Sequence, residues 1–493
     1  MATPIPLNQC GLTADEVIRA TTAQPSGGAT NIRAACVSID TRTITPGALF
    51  VALRGVRDGH EFLRTAAERG AVAAVVERGR GSNALPCFEV DDTLSALRAL
   101  ARHHLERMRA AQSLAVIAVG GAAGKTTTKE LSAAVARSLF GETLATPGNL
   151  NNLIGVPMTT LTLRENHRAA VLECGTNRRG EIPLLAEMVR PEVALVLNVD
   201  IEHTEGLGSL EGVADEEAAL FGPARVAVTS ADEPLLMARV PAEKRRFTFG
   251  TGSDADVRLT RRTVVAPGFQ QISLALPPAT VARGVEPKLD ATLNLLGAAS
   301  ASNAAAAVAA AIAAWNRPLG HAELAAIAMA LESIAPVEGR LRTRQARGLV
   351  IIDDTYNANP RSVRAALAAA RETADGLEAR LIVALGDMLE LGGLSGTMHA
   401  EAIRDVLAAR PSACIAVGGE MAAAVNACAD AGSSNHPVTM VAPDSEAAAS
   451  LVRDIVRPGD VLLVKGSRGI AMERIIEALC ASDTSYRSRP SAA

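Results

Sequence analysis

Lys125 and Thr126 carry the strongest chemical signal in this chain. They close the string Val119-Gly120-Gly121-Ala122-Ala123-Gly124-Lys125-Thr126-Thr127-Thr128-Lys129, which contains G-x-x-G-K-T. Glycines at Gly121 and Gly124 let backbone N–H groups converge on phosphate oxygens. A helix N-terminus adds positive potential, the lysine neutralises charge, and the Thr126 hydroxyl is a ligand for Mg²⁺. Thr127 extends the same turn. The full eight-residue phosphate-loop pattern is not met, because Val119 stands where its first glycine belongs. The competing reading is a glycine-rich turn with a solvated lysine. Two further residues suit the same chemistry. Glu173 ends the apolar run Ala169 to Glu173, and His203 follows the run that ends at Asn198-Val199-Asp200. A carboxylate and an imidazole at strand ends near a phosphate loop fit direct or water-mediated Mg²⁺ ligation. Taken alone, each is as well explained by a cap, a surface pair or a structural histidine.

Three other strings are dense in polar groups. Thr146-Pro147-Gly148-Asn149-Leu150-Asn151-Asn152 and Asp353-Asp354-Thr355-Tyr356-Asn357-Ala358-Asn359-Pro360 read either as loops with Asx-turns or as a lining for a large polar ligand. Val464-Lys465-Gly466-Ser467-Arg468-Gly469 leaves an apolar run with two cations, Lys465 and Arg468. They suit a phosphate or carboxylate, or a solvated turn.

The elements that must position these residues fall into three blocks. At 493 residues the chain exceeds one core, so several domains are expected. Residues 1–112 alternate short strands and helices. Residues 113–334 open with Leu114 to Val119, a buried strand, then the glycine turn, then a helix over Glu130 to Leu139. Ala169 to Glu173 and Val193 to Val199 are apolar enough for a parallel sheet. Val257 to Leu276 alternates and reads as a small antiparallel excursion, and an alanine-rich helix follows over Ala298 to Trp315. Residues 335–480 alternate apolar runs with helical stretches, the rhythm of a doubly wound sheet. Residues 481–493 are small and polar, a flexible tail. The expected fold is α/β in three domains, with a central P-loop ATPase-like parallel sheet and a C-terminal Rossmann-like doubly wound domain.

Bulk properties narrow the class. The hydrophobic share of 48% and the charged share of 21% are those of a globular protein. A net charge of −4 and only 2% aromatic residues give no footprint for nucleic acid. Seven scattered cysteines without a C-x-x-C fit free thiols in a reducing compartment. The N-terminus has no basic-then-apolar leader, and no apolar run reaches membrane-spanning length; Ala304 to Ala314 is short. A cytoplasmic enzyme, most simply a monomer, is expected.

In this order, the strings resemble the Mur ligase family of bacterial cell-wall synthesis over nearly the whole chain. Ser38-Ile39-Asp40-Thr41-Arg42 and Asp58-Gly59-His60-Glu61-Phe62 look like the domain that receives a UDP-sugar. The middle match runs through GKTTTK, TPGNLNNLIGVP, LECGTNRRGEIPLL and EHTEGLGSLEGVA. DDTYNANPRSV, GDMLELGGLS and LVKGSRG are similar to the branch that adds D-alanyl-D-alanine to a UDP-N-acetylmuramoyl tripeptide. A DNPR-type string, expected of the diaminopimelate-adding branch, is absent. The resemblance implies an ATP-dependent amide ligase working through an acyl phosphate, with Mg²⁺. Such chemistry needs positioning and charge neutralisation more than a protein nucleophile. It further implies that Lys125 and Thr126 bind ATP phosphate and Mg²⁺, and that Glu173 and His203 are metal ligands. Asn198, Asn303, Arg340 and Asp354 match its ATP-contacting positions. Thr41, Arg42, Asn149 and Asn152 match its UDP-sugar contacts, and Asn357, Lys465 and Arg468 join the substrate side. Domain closure about hinges near 112 and 335 is expected.

Three departures from the family pattern stand out. Where many members carry a lysine carbamylated by CO₂, this chain has Glu217, and the expectation is that Glu217 supplies the negative charge directly, across a shortfall of roughly 4 Å. Gly120 and Ala122-Ala123 replace the hydroxyl residues usual in the loop. Ala299-Ser300 replaces a His-Asn pair near Asn303, which weakens the case for ordinary adenine recognition. Alternative readings are a Mur-like ligase for another amine and carboxylate, a non-catalytic paralogue acting as a binding module, or a generic P-loop kinase or GTPase. The last leaves the first block unexplained.

Overall fold

The computed structural model describes residues 3–200, 207–429 and 438–481. His203 therefore lies outside the described residues, as does the expected tail beyond Ala481. Ala481 itself still belongs to the closing helix, Glu473–Ala481.

Among the described residues three large sheets carry the chain, beside a two-stranded antiparallel pair of Leu12–Thr13 with Arg33–Ala34. The first has five strands in the order Gln24–Ser26, Cys87–Val90, Ala73–Glu77, Ala48–Val51, Cys36–Ser38. The last four run parallel and the first is antiparallel to its neighbour. Helix Thr93–Ala111 leaves this sheet, capped by Asp92, whose carboxylate accepts from the amides of Leu94 and Ser95. Its buried face, including Leu97, Leu100 and Leu105, shares one apolar core with Val116, Leu172 and Ile182 further along the chain. The helix thus cements the first block onto the second.

The middle sheet has nine strands. Its centre is the parallel set Val193–Val196, Ala115–Gly120, Ala169–Glu173, every residue buried except Ala115. Strands covered on both faces must be apolar throughout, which is why these runs do not alternate. Parallel register pairs Glu173 with Val119 and Val196 with Gly120, so the carboxyl ends of these strands meet at one level. Val193–Val196 is shorter than the sequence suggests, and Leu197 to Asp200 already form the loop beyond it. The expected antiparallel excursion is not separate. Val257–Ala266 pairs in parallel with Arg245–Gly250, and Phe269–Ala275 and Lys288–Leu293 then extend the same sheet as its antiparallel edge.

Helix Gly297–Trp315 corrects one expectation. By length and composition its 19 residues suffice to cross a membrane, contrary to the reading that no apolar run does. It is instead a core helix: its alanines pack against helix Lys125–Phe140 and the middle sheet, and 72% of its apolar window is buried.

The third sheet runs Arg342–Ala346, Leu349–Asp354, Val461–Lys465, Leu381–Gly386, Ala413–Val417, Val438–Ala442. All pairs are parallel except the first. That polar edge strand, RTRQA, has no apolar signature and escapes a sequence reading. Helix Pro360–Gly376 follows the first parallel strand, with Asn359 as its N-cap and Pro360 in its first turn.

Candidate active site

The strand Ala115–Gly120 hands the chain to helix Lys125–Phe140 through four residues, and the turn is held by side chains from elsewhere. Gly121 sits at φ +118°, and a Cβ there would lie 2.9 Å from the Leu197 amide nitrogen. Gly124, at φ +87°, is the helix N-cap, and a Cβ there would meet Asn303 Oδ1 at 2.8 Å. Both backbone conformation and crowding therefore require glycine. Asn198 clamps the turn: its Oδ1 accepts from the Ala123 amide at 2.8 Å and its Nδ2 donates to the Ala123 carbonyl at 2.9 Å. Its backbone carbonyl takes the Ala122 amide. The Gly121 amide donates to Glu217 Oε2 at 2.6 Å. Lys125 folds back, its Nζ donating to the carbonyls of Gly121 and Ala122. The first turn of the helix beyond Gly124 opens into a cleft of about 580 Å³. A helix start turns its first amides outward and its dipole favours an anion there.

Glu173 lies on the floor of this cleft, 2% exposed. Its Oε1 accepts from the Thr126 hydroxyl at 3.1 Å and from Asn151 Nδ2 at 2.8 Å. Its Oε2 is buried with no hydrogen-bond partner among the described residues. An unsatisfied carboxylate oxygen beside a hydroxyl is a hard, anionic donor set, and it fits Mg²⁺. No group of three or more His, Cys, Asp and Glu gathers as a metal cluster among the described residues. Buried Lys129 supports the same corner from below, its Nζ donating to the Thr146 carbonyl at 2.8 Å and pairing with Glu130. Thr146 Oγ1 in turn accepts the Glu173 amide. Cys174, next in the chain, is no nucleophile. Burial first, then the carboxylates of Glu217 and Glu173, push its thiol well above the ordinary range.

The opposite wall belongs to the third sheet. In-register pairing places Asp354 beside Lys465, and Lys465 Nζ donates to Asp354 Oδ2 at 2.7 Å and to the Asn357 carbonyl at 2.8 Å. Asp354 Oδ1 accepts the Leu341 amide, holding Leu341 at φ +50°, beside Gly339 at +70°. Arg340, between them, lies over the Tyr356 ring at 4.2 Å. So Asp354 and Lys465 shape the turn that presents Arg340. Arg361 joins the walls: its amide donates to Asp200 Oδ2, and its guanidinium pairs with Glu233 at 2.5 Å.

Of the residues expected from sequence, the cleft gathers Gly124, Lys125, Thr126, Thr127, Asn149, Glu173, Asn198, Asn303, Arg340, Asp354, Asn357, Lys465 and Arg468. Others stand apart. Arg42 is spent on a bidentate pair with Asp40 and is 85% exposed, and Thr41 gives its carbonyl to Arg69. Neither lines the cleft. Asn152 faces its own helix, its Oδ1 accepting from the amides of Ile154 and Gly155, while Asn151 is the one that reaches Glu173. The amide-rich string signals the group but not which asparagine turns inward. Gly121 and Glu217 sit behind the loop rather than on the cleft lining. Ala299 and Ser300 do line it, where Leu295 and Leu296 add aliphatic surface beside Ser302 and Asn303.

A glycine turn at the ends of parallel strands, faced across a cleft by a second parallel-rich sheet that contributes cations, is the arrangement of a nucleotide-dependent α/β enzyme. Comparison with known proteins sharpens this. Residues 33–119 match the catalytic domain of the Mur ligase family, 119–311 the Mur ligase middle domain, and 339–468 the Mur ligase glutamate ligase domain. The UDP-N-acetylmuramoyl-tripeptide–D-alanyl-D-alanine ligase of Escherichia coli is 36% identical, over 90% of this chain and 93% of its own. That of Bacillus subtilis is 32% identical, over 95% and 98%. A crystal structure of MurF from Acinetobacter baumannii superposes with a TM-score of 0.83 at 28% identity, covering 97% of this chain and all of its own. MurF ligase from Thermotoga maritima, in complex with ADP, gives 0.77 at 26% identity, over 90% and 97%. The chain belongs to the Mur ligase family, and is an ATP-dependent amide ligase.

Proposed function

We propose that this ligase joins D-alanyl-D-alanine to a UDP-N-acetylmuramoyl tripeptide in peptidoglycan precursor synthesis. The observation that carries the reading is the cleft itself, where Lys125 and Thr126 on one wall face Arg340, Asn357 and Arg468 on the other. The relatives of that name, aligned over nine-tenths or more of both chains, support the choice of substrates. In this reading residues 1–112 receive the UDP-sugar, 113–334 bind ATP, and 335–480 bring the dipeptide. The protein acts as a cytoplasmic monomer.

The terminal carboxylate of the tripeptide attacks the γ-phosphorus of ATP, and ADP leaves. The amine of D-alanyl-D-alanine then adds to the acyl carbon, loses a proton, and expels phosphate. Lys125 and the first helical turn neutralise and orient the phosphates. Thr126 and Glu173 would hold Mg²⁺, with His203 as a further ligand, and the ion would offset charge on the phosphates. Arg340 and Arg468 orient anionic groups from the third sheet, and closure of the walls excludes water that would hydrolyse an acyl phosphate.

The test is ADP release from purified protein with a panel of acceptors. Release should require both the UDP-muramoyl tripeptide and D-alanyl-D-alanine. Equal release with unrelated amines would overturn the substrate assignment. Lys125→Ala should lose on the order of a hundredfold or more in kcat/KM.

A further inference from the structure

We infer that Glu217 is a positioning residue that holds the phosphate loop in its nucleotide-ready form. The inference rests on the reading of Ala122–Thr126 as the nucleotide site. Glu217 lies near the end of helix Leu210–Ala218 and is 1% exposed. Its Oε2 takes the Gly121 amide at 2.6 Å, a short, charge-assisted bond. A Cβ on Gly120 would fall 2.8 Å from that same oxygen. Gly120 is therefore what lets the carboxylate in, and Gly120 and Glu217 belong together.

The neighbouring carboxylate anchors the helix at its other side. Glu216 accepts from the amides of Gly180 and Ile182, each at 2.8 Å. Glu216 and Glu217 thus make a rigid bridge from residues 180–182 to the loop. Gly121 is held by Glu217, while Ala122 and Ala123 are held by Asn198. The loop has no hydroxyl side chain of its own between Gly120 and Gly124, so these two residues supply its shape. Glu217 is not among the residues lining the cleft, and its action passes through the Gly121 peptide.

The two conservative variants separate this role from direct ligation of an ion. Glu217→Gln keeps an acceptor oxygen at full reach and loses the charge. Glu217→Asp keeps the charge and falls short by one methylene. ADP affinity of the full chain is measured by calorimetry in EDTA, then ATP KM and the Mg²⁺ concentration for half-maximal activity. Glu217→Gln should bind ADP within about threefold of the native protein, while Glu217→Asp binds about tenfold more weakly even without metal. The Mg²⁺ requirement of Glu217→Gln should stay within about twofold, and removal of bicarbonate should leave native activity unchanged. The reverse order of the two variants, or a tenfold rise in Mg²⁺ requirement for Glu217→Gln, overturns the inference. Native protein that ligates its substrates yet shows the Asp variant at full metal-free affinity removes Glu217's role alone. Native protein that binds no ADP removes the nucleotide-site reading with it.

Discussion

His104 should make the joint between the first two blocks acid-sensitive. It lies on helix Thr93–Ala111, 1% exposed. Arg107 donates to its Nδ1 at 3.0 Å, and a guanidinium can only donate, so the proton sits on Nε2 and goes to the Leu163 carbonyl at 3.0 Å. Burial first, with Arg107 and His103 adding, lowers its pKa to about 4. The folded value lies below the ordinary one, near 6.5, so the unfolded chain takes up the proton first as pH falls. The stabilisation is complete above about pH 6.5 and is lost towards pH 4, with about 2 kcal/mol gone by pH 5. Urea unfolding of the native protein and of His104→Gln at pH 7 and pH 5 reads this directly. The variant has no imidazole to titrate and subtracts the contribution of His167, which burial also lowers. Glu16 is held down to about 2, burial opposing but Thr13 and Arg107 prevailing, so its own loss falls below the window measured. The stability gap between the proteins should shift by about 2 kcal/mol against the native chain between the two pH values. A gap that is constant to within about 0.5 kcal/mol would refute a neutral, buried His104 at this joint.

Two further perturbations test the cleft walls. Lys465→Met leaves the Asp354 carboxylate buried without its cation, and urea unfolding should show a loss of about 3–5 kcal/mol, with Lys465→Met/Asp354→Asn recovering at least half. A loss below about 1 kcal/mol in the single variant would mean the pair does not hold the wall. Gly124→Ala forces φ +87° on a residue with a side chain and crowds Asn303, so urea unfolding should show a loss of about 1–2 kcal/mol, and displacement of the loop should raise ATP KM by about tenfold. An unaltered KM would count against Gly124 as the entrance to the nucleotide site.

Local chemistry made much of this protein legible before any coordinates. Buried parallel strands announce themselves as unbroken apolar runs, and Ala169–Glu173 is found at its expected limits. The glycines of the phosphate loop stand out in the string as the residues that accept positive φ, although Leu197 and Asn303, which crowd them, come from far along the chain. The resemblance to the Mur ligases rests on such local strings and agrees with the family matches along the chain. What needed the tertiary structure is everything decided by contacts distant in sequence. Strand Arg342–Ala346 is polar because an edge strand need bury only one side. Asn151 rather than Asn152 reaches Glu173 because the turn of the loop points one amide inward and uses the next to hold its own helix. Lys465 suits a phosphate, a carboxylate or a solvated turn in the string, and the fold selects a buried carboxylate 111 residues away. Glu217 bonds to an amide 96 residues before it. Sequence fixes residue type and local geometry, but a side chain's partner depends on which strands lie side by side, and only the folded chain decides that.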